Sequence, residues 1–255
     1  WKDLPVEPSS GTEIIGTLER GDMRDIMIVK KDTAILKYKK NIKILTSSPR
    51  RKYNIKSILP DLLPMEIDSM SFSDIRGNIE TRLNKFISGD ADIVLMAKVA
   101  LDRLMRSGNQ NTINAVKEIL FRTKWMILPL SIFPTAPGQG AIAIEARKNS
   151  LHLKDLIKPI NAIGTFEDVK KEKSILSQYG GGCHQKIGVS IWNARHVRMC
   201  SLIGETEDGV PLKTMGPLDK KPYDMVKKVS SDDIYPNKSD NNMFVRKSIL
   251  NEQIK

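Results

Sequence analysis

The chain has 255 residues, 40% of them hydrophobic and 28% charged, with a formal net charge of +11. That balance suits a globular protein with a sizeable core, and the absence of any run of about 18 apolar residues argues against a transmembrane helix. Two cysteines cannot build a disulfide framework; with no C-x-x-C and three scattered histidines, no metal site is expected.

The positive charge has two sharp readings, a nucleic acid or an anionic small molecule. The lysines are spread throughout, while several arginines fall at the ends of predicted elements. That distribution favours a small polyanion, and the chain lacks the aromatic platforms that single-stranded nucleic acid needs.

In chain order, residues 11–32 read as strand, turn, strand. IKIL (42–45) is a buried strand running into Thr46-Ser47-Ser48. PRRKYNIKSILPDL follows as a helix, with Ser48 as N-cap and Pro49 at the first helical position. FSDI (72–75), a turn at Gly77, a helix with Ile79, Leu83, Phe86 and Ile87 on one face, and the apolar strand ADIVLMA form a β-α-β unit. A parallel sheet is the expectation for this part. VALDRLMRS and NAVKEILFR are helix-like, and residues 127–147 combine a proline-rich loop, a tight GQG turn and another strand. Past Arg147, LKDLIKPIN and TFEDVKKEKSILSQY look helical, and IGVSIW, HVRMCSLIGE and DGVPLKT read as an antiparallel meander. From about Met215 onward the chain turns polar and loses its pattern.

Four features could carry chemistry. Arg50 and Arg51 fall in the first turn of a predicted helix, where cations oppose the helix dipole; with Ser47 and Ser48 they make sense around a bound anion. Arg76, at the C-terminal end of a strand, Arg82 and Arg103 extend the theme, because ligands of open α/β sheets bind at that edge. Asp3, in KDLP, is the acidic residue to single out. Finally, Gly180-Gly181-Gly182 lead into Cys183. Glycines let a bulky group approach closely, so this thiol reads as a nucleophile, as the anchor of a prosthetic group, or as an idle member of a tight loop. Cys200, in the apolar VRMCSLIG, reads as a buried strand residue.

KDLP, TSSPRR, RGNIETRL, ADIVLMAKVALDRL, PTAPGQGAIAIEAR and GGGC followed by IG occur in the order found in hydroxymethylbilane synthases, also called porphobilinogen deaminases. The chain resembles that family from Trp1 to about Val189. The resemblance implies an α/β fold with two periplasmic-binding-protein-like domains, the first incomplete, plus a small α+β C-terminal domain. Residues 1–25 and 125–147 would be the remainder of the first domain, 26–124 the second, and 148–255 the third, which carries the cysteine loop. It implies a dipyrromethane cofactor in thioether linkage to Cys183, and a transferase that deaminates four porphobilinogen molecules, joins them head to tail and releases hydroxymethylbilane by hydrolysis. Asp3 inherits the stabilisation of the cation left when ammonia departs. Lys2, Ser47, Ser48, Arg50 and Arg51 inherit cofactor binding; Arg76, Arg82, Arg103 and Gln139 inherit substrate binding. A monomer without nucleic-acid or membrane partners is expected, in the cytoplasm or a plastid. The family pattern starts upstream of KDLP, so an incomplete first domain and an inactive fragment are also expected outcomes. Local departures are Leu45 for a usual Gly, Val99-Ala100 for Ala-Gly, and Lys186 for a usual Pro. The competing reading is a non-catalytic, periplasmic-binding-protein-like anion-binding module.

Overall fold

A computed structural model describes residues 1–5, 10–31, 40–180, 185–195 and 197–218. The described chain forms ten strands and six α-helices. Its largest layer is a five-stranded sheet of β2 (Asp25–Lys30), β3 (Asn41–Leu45), β4 (Ser69–Ser73), β5 (Ile93–Ala97) and β6 (Thr123–Ile127), in the order β4-β3-β5-β2-β6. β5 is IVLMA and is buried along its whole length. A strand covered on both faces needs such a run, because neither set of alternating side chains meets water.

Helices cover both faces. On one side Leu83 and Phe86 of α2 (Ile79–Ser88), Leu101 of α3 (Lys98–Met105) and Val116 and Ile119 of α4 (Gln110–Phe121) pack against Ile26, Ile28, Val94 and Met96. On the other, Ile55 and Leu59 of α1 (Pro49–Leu62) meet Met27, Val29, Ile42, Ile44, Ile93 and Leu95. Even and odd residues of β2 and β5 thus feed opposite cores, as strand geometry requires. The α1 cap is the predicted one, Ser48 accepting from the Arg51 N–H with Pro49 at the helix start, and Gly89 closes α2.

The sheet is mixed where a parallel one was expected. β3 runs parallel to β4 and β5, as the β-α-β reading requires, but β2 is antiparallel to both β5 and β6. Nor do the two strands of residues 11–32 pair with each other: β1 (Thr12–Thr17) joins β7 (Ala143–Arg147) in a separate antiparallel ribbon. The chain therefore crosses from ribbon to sheet at residues 18–24 and back at 128–142. Entering at the edge where the parallel strands end, β2 can run only against them.

After the ribbon come α5 (Leu151–Ile157), a short 3-10 turn and α6 (Ile163–Ser177). The predicted meander follows as β8 (Gly188–Ala194), β9 (Val197–Glu205) and β10 (Pro211–Pro217), in the order β10-β9-β8. Ile175 and Leu176 of α6 share a core with Ile187, Val189, Ile191, Leu202 and Leu212. Cys200 lies in that core, and burial followed by the charge of Glu172 pushes its thiol up to about 11. A thiol that stays protonated is a poor nucleophile. No helix among the described residues is long and apolar enough to cross a membrane.

Candidate functional site

A cavity of about 540 Å³ lies where the crossing segments, the sheet end and the meander converge. Its walls are the segment Lys2–Pro5, the turn Ser47–Arg51 at the start of α1, the loop Ala136–Gln139, Lys173 and Leu176 of α6, and Gln185 with Ile187 ahead of β8. Seven of the sequence candidates meet there: Lys2, Asp3, Ser47, Ser48, Arg50, Arg51 and Gln139.

Arg50 and Arg51 are buried, at 4% and 9% exposure. The anion that justifies them is first of all the protein's own. Asp25, at the head of β2 and wholly buried, accepts from Arg50 Nη2 and Arg51 Nη2 at 2.7 Å each and from Gln139 Nε2 at 2.9 Å. Burial alone would raise the Asp25 carboxyl, but the two guanidinium groups and the hydrogen bonds from Arg51 and Gln139 outweigh it. The group is held well below the usual carboxylate range. Arg50 also donates to the Pro134 carbonyl at 2.9 Å and lies over the Phe133 ring.

This cluster leaves polar atoms over. Arg50 Nε, Arg51 Nε and Gln139 Oε1 are buried and have no hydrogen-bond partner among the described residues. Buried polar groups in folded proteins are nearly always paired. Two leftover donors and two acceptors, counting Gln185 Oε1, thus sit on residues that line one cavity. The Gln139 orientation is fixed by its amide, which also donates to the Met23 carbonyl at 2.6 Å. The GQG turn demands its glycines: Gly138 and Gly140 have φ of 77° and 83°, and a Cβ on Gly140 would stand 2.7 Å from the Gly21 carbonyl oxygen.

The charged side chains around the cavity are mostly cationic. Lys2 lines the cavity with Arg50 and Arg51; desolvation lowers its ammonium, Asp3 opposes the shift, and the Arg51 charge adds to it. Asp3 is exposed on a turn closed by the Leu4 N–H donating to the Trp1 carbonyl. Ser47 has a structural role. Its hydroxyl donates to the Ile75 carbonyl at 3.0 Å and accepts from the Ile75 N–H at 2.9 Å, tying the α1 turn to the residue before Arg76.

Arg76, Arg82 and Arg103 do not line the cavity. Arg76 and Arg103 are exposed, and Arg82 Nε donates to the Gly77 carbonyl at 2.7 Å. Cys183 lies outside the described residues. Gln185 and Ile187, just past it, line the cavity. Among the described residues no group of His, Cys, Asp or Glu is gathered as a metal site.

Sequence reasoning missed four supporting residues. Asp25 is one, a carboxylate opening the apolar run DIMIV. Another is Glu172 of α6, fully buried, which takes Arg20 in a bidentate pair at 2.9 Å and accepts from the Gly138 and Ile191 N–H groups at 2.9 and 2.8 Å. Arg20 also donates to the Gln139 carbonyl at 3.0 Å. The last is Lys173, whose ammonium donates to the Leu4 carbonyl at 2.7 Å. The signal was legible: Glu172 and Lys173 interrupt the buried stripe of Val169 and Leu176 at helical spacing.

The fold and cavity define an α/β protein with a cationic cleft. Over residues 1–155 the sequence matches the family described as "Porphobilinogen deaminase, dipyromethane cofactor binding domain". It is 37% identical over 188 residues to a porphobilinogen deaminase of Caldicellulosiruptor saccharolyticus, covering 74% of this chain and 57% of that one. The corresponding protein of Chlorobium phaeovibrioides is 35% identical over 187 residues, covering 73% and 53%. That of Chlorobium luteolum is 31% identical over 213 residues, covering 83% and 61%. The chain belongs to the porphobilinogen deaminase family, and spans a little over half the length of these relatives.

Proposed function

We propose that this chain serves hydroxymethylbilane synthesis: porphobilinogen is deaminated and polymerised head to tail, and the linear tetrapyrrole is released by water. The observation that carries the reading is the leftover hydrogen-bonding capacity of Arg50, Arg51 and Gln139 on a cavity that also holds Asp3. A dipyrromethane offers carboxylates for the two guanidinium Nε groups and pyrrole N–H groups for an acceptor, so the residues present fit it. Bound in thioether linkage to Cys183, it would supply the nucleophilic pyrrole carbon from which the chain grows.

The protein's part is binding and electrostatics. Arg50, Arg51 and Lys2 bind carboxylates, and Asp25 holds both arginines in place from behind. As the C–N bond of porphobilinogen breaks, ammonia leaves with the electron pair and the pyrrole becomes a cation. The Asp3 carboxylate stabilises that charge and accepts the pyrrole N–H. Each new carbon–carbon bond then releases one pyrrole proton to solvent or base. Arg76, Arg82 and Arg103 are assigned to incoming substrate by family pattern alone. The domain division at residues 25/26, 124/125 and 147/148, the likeness of the first two domains to periplasmic binding proteins, a monomeric state, and a cytoplasmic or plastid location belong to the same proposal.

Intact-mass spectrometry of the purified protein beside Cys183→Ser tests it. The expected result is added mass equal to two linked pyrroles, absent in the variant. An unmodified wild-type chain under conditions where porphobilinogen is supplied would sink the assignment.

A further inference from the structure

Lys173 is 6% exposed, on the face of α6 that lines the cavity. Burying an ammonium is costly unless it is hydrogen-bonded, and immobilising a lysine costs side-chain entropy. Among its contacts, the ammonium donates to the backbone carbonyl of Leu4, the residue after Asp3. Further anchors of the segment lie at Trp1. Its backbone nitrogen donates to the Ala141 carbonyl at 2.8 Å, its ring lies 5.4 Å from Phe166, also on α6, and its carbonyl accepts the Leu4 N–H in a local turn. Asp3 itself is exposed. Its position depends on what grips the backbone beside it.

The grip is rigidly mounted. Val169, Ile175 and Leu176 bury α6, and the neighbouring Glu172 binds the Ile191 N–H of β8 and the Gly138 N–H of the opposite wall. Consecutive residues of one helix thus reach the two walls of the cavity: Glu172 the loop with Gln139, Lys173 the segment with Asp3. We infer that Lys173 is a positioning residue for Asp3, fixing the Lys2–Pro5 backbone at the cavity through the Leu4 carbonyl. The inference rests on the role given to Asp3 above.

The test uses the full natural chain, cofactor-loaded, as wild type, Lys173→Met and Lys173→Arg. The first readout is independent of activity: hydrogen–deuterium exchange of the Leu4 amide, which donates to the Trp1 carbonyl, is expected to rise about tenfold in Lys173→Met and to stay near wild type in Lys173→Arg. The second is the kinetic split: kcat for porphobilinogen falls by roughly tenfold to a hundredfold in Lys173→Met with KM little changed, and Lys173→Arg recovers most of it. Unchanged exchange in Lys173→Met overturns the inference, whatever the turnover. A raised KM at constant kcat overturns it too, because Lys173 would then be a carboxylate ligand. So does a fall in kcat that simply tracks a lower melting temperature. If Lys173→Met does not fold, Lys173→Gln takes its place, and recovery by Lys173→Arg decides. A wild-type protein with no added mass and no turnover would remove the reading of Asp3 while leaving the exchange result to judge the contact.

Discussion

Arg50 and Arg51 differ from Arg76 and Arg103 in one respect that strand order and spacing do not show. All four come soon after a strand of the same sheet. The first two are buried against Asp25, and the others stand in water. A solvated arginine meets an anion with its rotamers unfixed and its charge screened. A buried one, already oriented by an internal carboxylate, has little left to lose on binding. On the proposed function, an anion site is built around its counter-charge, and Asp25 is the residue to look for. It does not neutralise the site, because one carboxylate faces two guanidinium groups and leaves an Nε donor on each.

Removing Asp25 is the strongest way to break the contrast. Asp25→Asn keeps the shape but leaves two buried guanidinium groups without their anion, at about 3–5 kcal/mol. A fall in melting temperature on the order of 10 °C is expected, with loss of cofactor mass. Acid should narrow the gap. The Asp25 carboxyl is depressed in the folded state, so its contribution is complete above the unfolded value of about 3.9 and is lost as pH falls below it towards the folded one. The gap between the melting curves of wild type and Asp25→Asn should therefore hold from pH 6 to about 4 and narrow only as pH falls further, to pH 3 and below. A constant gap would mean that Asp25 acts through shape and not charge.

A smaller effect should come from the wall that holds Gln139. In Gly140→Ala the new Cβ meets the Gly21 carbonyl oxygen at 2.7 Å, in a backbone conformation that L residues rarely adopt. A loss of about 2 kcal/mol is expected, read by chemical denaturation. Gln139 would shift with the turn and loosen its bond to Asp25, so the buried arginines should become more accessible while the exposed ones do not change. Wild-type stability would show that the crossing segments have room to part.

Much of this architecture is legible in the amino-acid sequence. The α1 residues Pro49–Leu62, its Ser48 cap, the α2 face, the buried β5 and the meander all follow from local pattern. The pairing of β1 with β7 and the antiparallel β2 do not, because partners far apart in the chain leave no trace in periodicity. The same holds for the site. Glycines and arginines mark themselves by type and position, so Lys2, Asp3, Arg50, Arg51 and Gln139 could be named. Asp25, Arg20, Glu172 and Lys173 act by reaching across segments, and only a buried charge in an apolar stripe betrays them.

The smallest effect is the sharpest control. Arg103 is exposed on α3 and does not line the cavity. Arg103→Ala should change stability by no more than about 0.5 kcal/mol, beside a loss of several kcal/mol for Arg50→Ala, which strands the charge of Asp25 on one side. The two substitutions should also part in kinetics. If Arg103 guides incoming substrate as the family pattern implies, its alanine variant raises KM for porphobilinogen by a salt-dependent factor and leaves cofactor mass intact, because an exposed charge acts over a screened distance. If KM and its salt dependence both stay at wild type, Arg103 is a solvated surface residue, and the functional arginines of the sheet reduce to those that Asp25 holds.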